Sequence, residues 1–244
     1  MIAVSARPQI VALQLSDRIA GTPAATWLSA AEQALTARFR HAGRRAEFVA
    51  GRIALKRAWL QAGRSALRIH SAEILGESAP SAARDFEALP DADGRPRSRH
   101  GGGSAPLAVS IAHAAGWAAA ACDDGPIGID IVDTAEPAAI PADLPWLAGV
   151  PAAARGRLQS LLWGLREAAV KAGLAGSPRA WELGEVPAVP LLPAAELIRR
   201  WPAERTCCAL ELDLAGRRVP AAFVPLSARI LLTIVSAHAP ASPL

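Results

Sequence analysis

Residues 107–132, LAVSIAHAAGWAAAACDDGPIGIDIV, decide the fold, because they read as three consecutive strands separated by tight turns. Residues 107–113 alternate, residues 117–122 return after Gly116, and residues 127–132 follow the turn at Asp124, Gly125 and Pro126. Side chains alternate across a strand, so Ile127, Ile129 and Ile131 share one face while Gly128, Asp130 and Val132 share the other. Asp130 is thus expected to point away from the isoleucine core.

Downstream, a proline-rich stretch at 134–151 leads into a helix over 152–172 that Gly173 ends. On a wheel of 100° per residue, Leu158, Leu162, Leu165, Ala169 and Ala172 fall on one side, and Trp163, Glu167 and Lys171 on the opposite one. An irregular stretch over 174–205 precedes expected strands at 208–214 and 230–235, and a frayed tail at 239–244. Upstream, residues 9–15 read as a strand followed by a turn-rich stretch through Pro23. Ser29 with Glu32 three residues on forms a capping box that predicts a helix towards Arg40. A second helix over 44–62 carries Arg44, Arg45, Arg52, Lys56 and Arg57 on more than one side. The segment from Pro90 to Pro96 is a turn signal, followed by the flexible triplet Gly101, Gly102 and Gly103.

Antiparallel strand sets each joined to one long helix predict an α+β fold. A faint spacing echo, of a kind an alanine-rich chain also produces by chance, fits two similar lobes: Arg52, Ala54, Arg57 and Ala58 recur as Arg166, Ala168, Lys171 and Ala172.

With 52% hydrophobic residues in 244, the chain can bury one large core or two smaller ones. No stretch approaches the roughly 20 uninterrupted apolar residues of a membrane span, and the N-terminus lacks the pattern of a secretory signal, so a cytoplasmic protein is expected. Cys122, Cys207 and Cys208 form neither a disulfide framework nor a CxxC metal motif, and read as small buried hydrophobes. The net charge of +4 suits an acidic partner without naming one. Lysine occurs only at Lys56 and Lys171 in this arginine-rich chain, which mildly favours a functional reason for each.

Four segments carry the chemistry: Gly94-Arg95-Pro96, Val109 to His113, Ile127 to Ile131, and the helical run from Trp163 to Lys171. Asp130 and Glu167 supply two carboxylates, the donor type a hard divalent cation such as magnesium prefers. Lys171 lies one helical turn beyond Glu167 on the same face. Such an i,i+4 pair is ordinarily a solvated surface contact, but Trp163 beside it implies a covered face. A strand-end histidine such as His113 is ordinarily structural, and Arg45, Arg52 and Arg95 are ordinarily a solvated basic face. As a group, those arginines would suit phosphates, which guanidinium binds in a bidentate fork.

In this order and at these separations, the segments resemble the two-lobed, Sfp-type branch of the 4'-phosphopantetheinyl transferases. That family shows G-[KR]-P, a serine-histidine strand, G-[IV]-D, and W-x-x-K-E-A-x-x-K on a helix. Its arginine helix is matched by Arg45, Phe48, Arg52, Leu55 and Lys56, so the resemblance covers residues 28–174. It implies two pseudo-symmetric lobes, residues 1–124 and 125–244, with the active site between them. The implied activity moves the phosphopantetheine arm of coenzyme A onto a serine of an acyl or peptidyl carrier protein and releases 3',5'-adenosine bisphosphate.

By the same resemblance, Asp130 and Glu167 would hold magnesium, Glu167 would take the serine proton and Lys171 would steady the leaving phosphate. Arg45, Arg52, Arg95, His113 and Lys171 would bind coenzyme A, His113 contacting its 3'-phosphate. A monomer is implied, serving fatty-acid, polyketide or nonribosomal-peptide synthesis. The chain departs from the pattern in three places. Val132 stands where many members have a third acidic ligand, Arg166 replaces a lysine, and Ala112 replaces the serine before the histidine. A metal site with two protein carboxylates follows. The alternative is a relative that binds carrier protein or coenzyme A without turnover. A nucleic-acid binder is disfavoured, because tyrosine is absent and the basic residues are not interleaved with a stacking platform.

Overall fold

The computed structural model describes residues 8–15, 24–61, 67–70, 81–101, 103–104, 107–136, 140, 144–175 and 189–237. The turn-rich stretch 16–23, residues 137–139 and 141–143 of the proline-rich stretch, residues 176–188 and the tail at 239–244 therefore lie outside the described residues. The chain is a mixed α+β protein that divides into two compact units, residues 1–125 and 126–244.

In the first unit, β1 (Gln9–Gln14) is followed by helices α1 (Ala24–Trp27), α2 (Ala30–Thr36) and α3 (Ala42–Leu60), then β2 (Leu67–His70) and α4 (Ser81–Asp85). Strands β3 (Phe86–Pro90), β4 (Pro96–His100) and β5 (Gly103–Ser104) form a small antiparallel sheet. The main sheet takes the order β2-β1-β7-β6, with β6 at Ala108–Ala114 and β7 at Trp117–Asp123. Only the β1–β2 pair is parallel. Ala115 and Gly116 join β6 to β7 with positive φ at both positions, the geometry of a two-residue turn whose twist matches the strands it joins. Val11 and Leu13 of β1 and Ala118 and Ala120 of β7 pack against Val49, Ala50, Ile53 and Ala54 of α3.

Helix α2 begins as the sequence predicts. Ser29 Oγ accepts from the Glu32 amide at 3.2 Å and Glu32 Oε2 accepts from the Ser29 amide at 3.1 Å. Glu32 then does more than cap. Wholly buried, it pairs with Lys56 Nζ at 2.9 Å and accepts from the Ala88 amide at 3.1 Å, tying α2 to α3 and β3. Lys56 also donates to the carbonyls of Ala83, at 2.7 Å, and Phe86. One of the two lysines is thus held by the fold: removing either partner would strand a buried charge.

The second unit starts with β8 (Ile127–Asp133), passes a 3-10 turn (Pro145–Leu147) and enters α5 (Ala152–Lys171). It continues through β9 (Val189–Pro190), α6 (Ala194–Arg199), β10 (Cys208–Leu214), β11 (Arg217–Pro225) and β12 (Ile230–Ser236). The sheet order is β8-β12-β11-β10-β9, antiparallel throughout. Helix α5 closes with a Schellman motif: Leu174 N donates to Ala169 O and Gly173 N to Val170 O, both at 3.0 Å, with Gly173 at φ +70°.

The expected irregular stretch 174–205 contains β9 and α6, and β11 was not expected at all. Pro220 and the arginines at 217 and 218 conceal this strand, because proline is rare inside sheets. It is tolerated here because pairing with β12 begins only at Ala221, leaving Pro220 opposite Glu211 of β10 alone. Among the described residues, no helix is long and apolar enough to cross a membrane.

Candidate functional site

Helix α5 lies on the strand face that carries Gly128, Asp130 and Val132, so Asp130 points into a helix–strand seam rather than away from packing. The seam depends on two glycines. A Cβ on Gly128 would overlap the Ala168 carbonyl oxygen and come within 2.6 Å of the Ala172 nitrogen. A Cβ on Gly164 would meet Val132 Cγ2 at 2.7 Å and Thr233 Cγ2 at 2.8 Å. The buried side of α5 is accordingly Leu158, Leu161, Leu162, Leu165, Ala168 and Ala169, with Gly164 against β8 and β12. Ala172, placed on the apolar side of the wheel, is only half-buried.

This backbone approach brings Lys171 Nζ to 2.6 Å from Asp130 Oδ1. Glu167 lies one turn earlier, its side chain 24% exposed, with Arg166 Nε 3.9 Å from Oε1. Partial burial raises the Glu167 carboxyl above the usual glutamate range, and the neighbouring Asp130 charge adds to this, while Arg166 and Lys171 oppose it. Arg166 is nearly buried, its guanidinium 4.8 Å from the Trp163 ring centroid.

Asp130 and Glu167 thus place two interacting carboxylates along the seam, the first of them paired with the Lys171 ammonium. Hard oxygen donors and two like charges fit a magnesium-type cation, which would relieve their repulsion. Val132 packs over Gly164, where it supplies no ligand. Asp133 is engaged elsewhere, accepting from Arg229 Nη2 at 2.7 Å and from the Ala135 amide at 2.9 Å. No group of three or more His, Cys, Asp or Glu side chains suited to a metal occurs among the described residues.

The first unit holds a cleft of about 190 Å³ lined by Glu47, Phe48, Arg52, Gly94, Pro96, Ile111 and His113. Arg52 is 8% exposed, lies 4.4 Å from the Phe48 ring centroid and has its Nε 3.7 Å from Glu32 Oε1. That Nε has no hydrogen-bond partner among the described residues. Burial draws the Arg52 pKa down against the opposing pull of Glu32. His113 Nδ1 stands 3.4 Å from Glu47 Oε2.

The structure thus brings two of the expected nucleotide-binding residues, Arg52 and His113, to one cleft beside the Gly94–Pro96 turn. The other two do not line it: Arg45 donates to the Phe39 carbonyl at 3.0 Å, and Arg95 is exposed on the turn. Glu47 also lines this cleft, and a lone acid among arginines carries no sequence signal that marks it.

The cysteines also need correction. Cys122 is buried, but Cys207 and Cys208 are only half-buried. Burial pushes the thiols of Cys122 and Cys207 up to about 12 and about 11, so neither is a ready nucleophile. No protein-family model matches the chain, and no curated protein matches it.

Proposed function

We propose that the chain is a 4'-phosphopantetheinyl transferase with the two-lobed fold of that family, acting on coenzyme A and an apo carrier protein. The observation that carries this reading is the convergence of Asp130, Glu167 and Lys171 on one seam, with Lys171 at 2.6 Å from Asp130. These supply the carboxylates for a metal, the base and the cation that transfer from a diphosphate needs.

The carrier serine oxygen attacks the β-phosphorus of coenzyme A, and the bond from that phosphorus to the bridging oxygen breaks. Glu167 accepts the serine proton, for which its raised proton affinity suits it. Lys171 exchanges its Asp130 partner for the phosphate of departing 3',5'-adenosine bisphosphate. Asp130 and Glu167 would hold magnesium, which when bound supplies charge neutralisation at the diphosphate. Arg52 and His113 are assigned to the phosphates of the nucleotide end. A monomer working in the cytoplasm belongs to the same proposal.

The test mixes the protein with magnesium, coenzyme A and a panel of apo carriers, and weighs the carriers. A gain of one phosphopantetheine supports transfer. One observation favours the second reading, binding without turnover: Lys171 already neutralises Asp130, and Val132 adds no carboxylate. Carrier binding with no mass gain in any carrier would establish it.

A further inference from the structure

The second unit holds a cavity of about 180 Å³ that the proposed transfer does not use. Four segments of chain meet there. Arg157 comes from α5, Trp201 and Glu204 from the α6–β10 connection, Thr134 from just after β8, and Ser227 and Leu231 from the turn into β12 and β12 itself.

One cation and one acid line this cavity, and neither is engaged. Among the described residues, the side chains of Arg157 and Glu204 make no ion pair or hydrogen bond, with each other or with any neighbour. By contrast, Asp133 is held by Arg229, and Glu196 by Arg199 and Arg200. An exposed, unpaired charge is ordinarily just solvated. These two are set apart because each is fixed in place by its surroundings. The Arg157 guanidinium carbon lies 5.2 Å from the Trp201 ring centroid, and that indole packs on the wholly buried Phe223 with ring centroids 4.9 Å apart.

Glu204 sits in a turn closed by the Thr206 amide, which donates to the Ala203 carbonyl at 3.1 Å. The next residue, Arg205, has φ +61°, a left-handed conformation that this turn position ordinarily gives to glycine or asparagine. Its amide donates to the Pro225 carbonyl at 2.6 Å, which pins the strained turn to the end of β11 at the cavity wall. Strain maintained by a long-range bond beside a cavity marks a built site better than a free loop. Ser227 adds a hydroxyl whose oxygen accepts from the Ile230 amide at 3.2 Å and whose proton has no acceptor among the described residues.

The volume is below the roughly 300–1,000 Å³ of pockets for drug-sized ligands and equals that of about six waters, too small for a nucleotide. A ligand that fits carries both signs of charge, because a lone anion would face Glu204 and a lone cation would face Arg157. It also presents an apolar part to Trp201 and Leu231. We propose that this cavity binds a free α-amino acid with an apolar side chain. Its carboxylate takes the Arg157 guanidinium, its ammonium takes Glu204, and its side chain lies against Trp201 and Leu231. The proposal is independent of the transferase reading.

The experiment titrates the full-length protein with L-valine, L-leucine and L-methionine by calorimetry, with saturation-transfer NMR as a second readout. N-acetyl-L-leucine, which lacks the ammonium, and L-leucinamide, which lacks the carboxylate, are the matched controls. Arg157→Gln and Glu204→Gln are the variants, and Trp201 is left in place because it packs on Phe223. At least one amino acid should bind with a dissociation constant of about 1 mM or tighter. Removing either ligand charge or either protein charge should weaken binding about tenfold or more. Both variants should melt within about 2 °C of wild type, since neither side chain has an ion pair or hydrogen bond to lose. No saturation transfer from any of the three at about 10 mM overturns the site. Equal binding of the acetylated or amidated form does so as well, as does binding that survives both substitutions. The ligand controls need no substitution, so they decide the matter even where a variant fails to fold.

Discussion

Under the proposed transfer, function and stability pull in opposite directions at Glu167. Its proton affinity is raised in the folded chain by burial and then by Asp130, so ionising it costs folding free energy. The sign follows from linkage: the folded state binds this proton more tightly than the unfolded state. Stability is therefore greatest below the ordinary glutamate range and falls as pH rises through the raised value. Glu167→Gln should accordingly unfold at a slightly higher temperature than wild type near pH 7, with the gap closing near pH 4. The gain should be under about 1 kcal/mol, because solvent screens a partly exposed carboxyl. The same variant should lose about 10²–10⁴-fold in transfer rate, the usual worth of a general base. Thermal unfolding at two pH values with a rate assay separates the effects. A lower melting temperature at both would place Glu167 in the fold instead.

Val132 tests the metal assignment from the other direction. It occupies the Asp130 face of β8 two residues on, so Val132→Glu would add a third carboxylate beside the seam. Divalent-cation affinity, measured by calorimetry without coenzyme A, should tighten about tenfold or more. Unchanged affinity would remove Asp130 and Glu167 as ligands. These residues were legible as types and spacings in the sequence. The Lys171–Asp130 pairing was not, because periodicity gives a residue its face but not what covers that face.

At the scale of elements, the seam between α5 and β8 is set by glycine in two unequal ways. The obstacle to a side chain at Gly128 is the backbone of α5, which cannot move aside. At Gly164 the obstacles are the side chains of Val132 and Thr233, which can turn. Gly128→Ala should therefore destabilise by about 3 kcal/mol or fail to fold, and Gly164→Ala by about 1 kcal/mol. Denaturant midpoints decide it, and equal losses would contradict the difference in packing. The strands of residues 107–132 were readable because alternation and glycine turns are local signals. Strand β11 was hidden by a proline that only the register of β12 makes acceptable, and register is a long-range property. Helix α5 was found with its boundaries and its stripe, Leu158, Leu162, Leu165 and Ala169 all being buried, but its packed side extends further to Gly164 and Ala168, which carry no hydropathy signal.

At the scale of the whole molecule, one connection occurs twice. In the first unit, β1 leads to α3 and the hairpin β6–β7 returns with β7 beside β1. In the second, β8 leads to α5 and the hairpin β11–β12 returns with β12 beside β8. The spacing echo between Arg52 and Ala58 and between Arg166 and Ala172 falls on these two helices. The two helices differ in where their charges go. Arg52 and Lys56 turn inward towards Glu32, whereas Glu167 and Lys171 stay partly exposed beside Asp130. One helix holds its charged residues within the fold, and the other leaves them partly exposed, as the proposed transfer requires.

That division is tested most directly by mass spectrometry of an apo carrier protein incubated with coenzyme A, magnesium and either the wild-type chain or Glu167→Gln. The expected result is a carrier heavier by one phosphopantetheine, with matching release of 3',5'-adenosine bisphosphate, for wild type and not for the variant. A carrier of unchanged mass across the panel, or full transfer by the variant, would contradict the account.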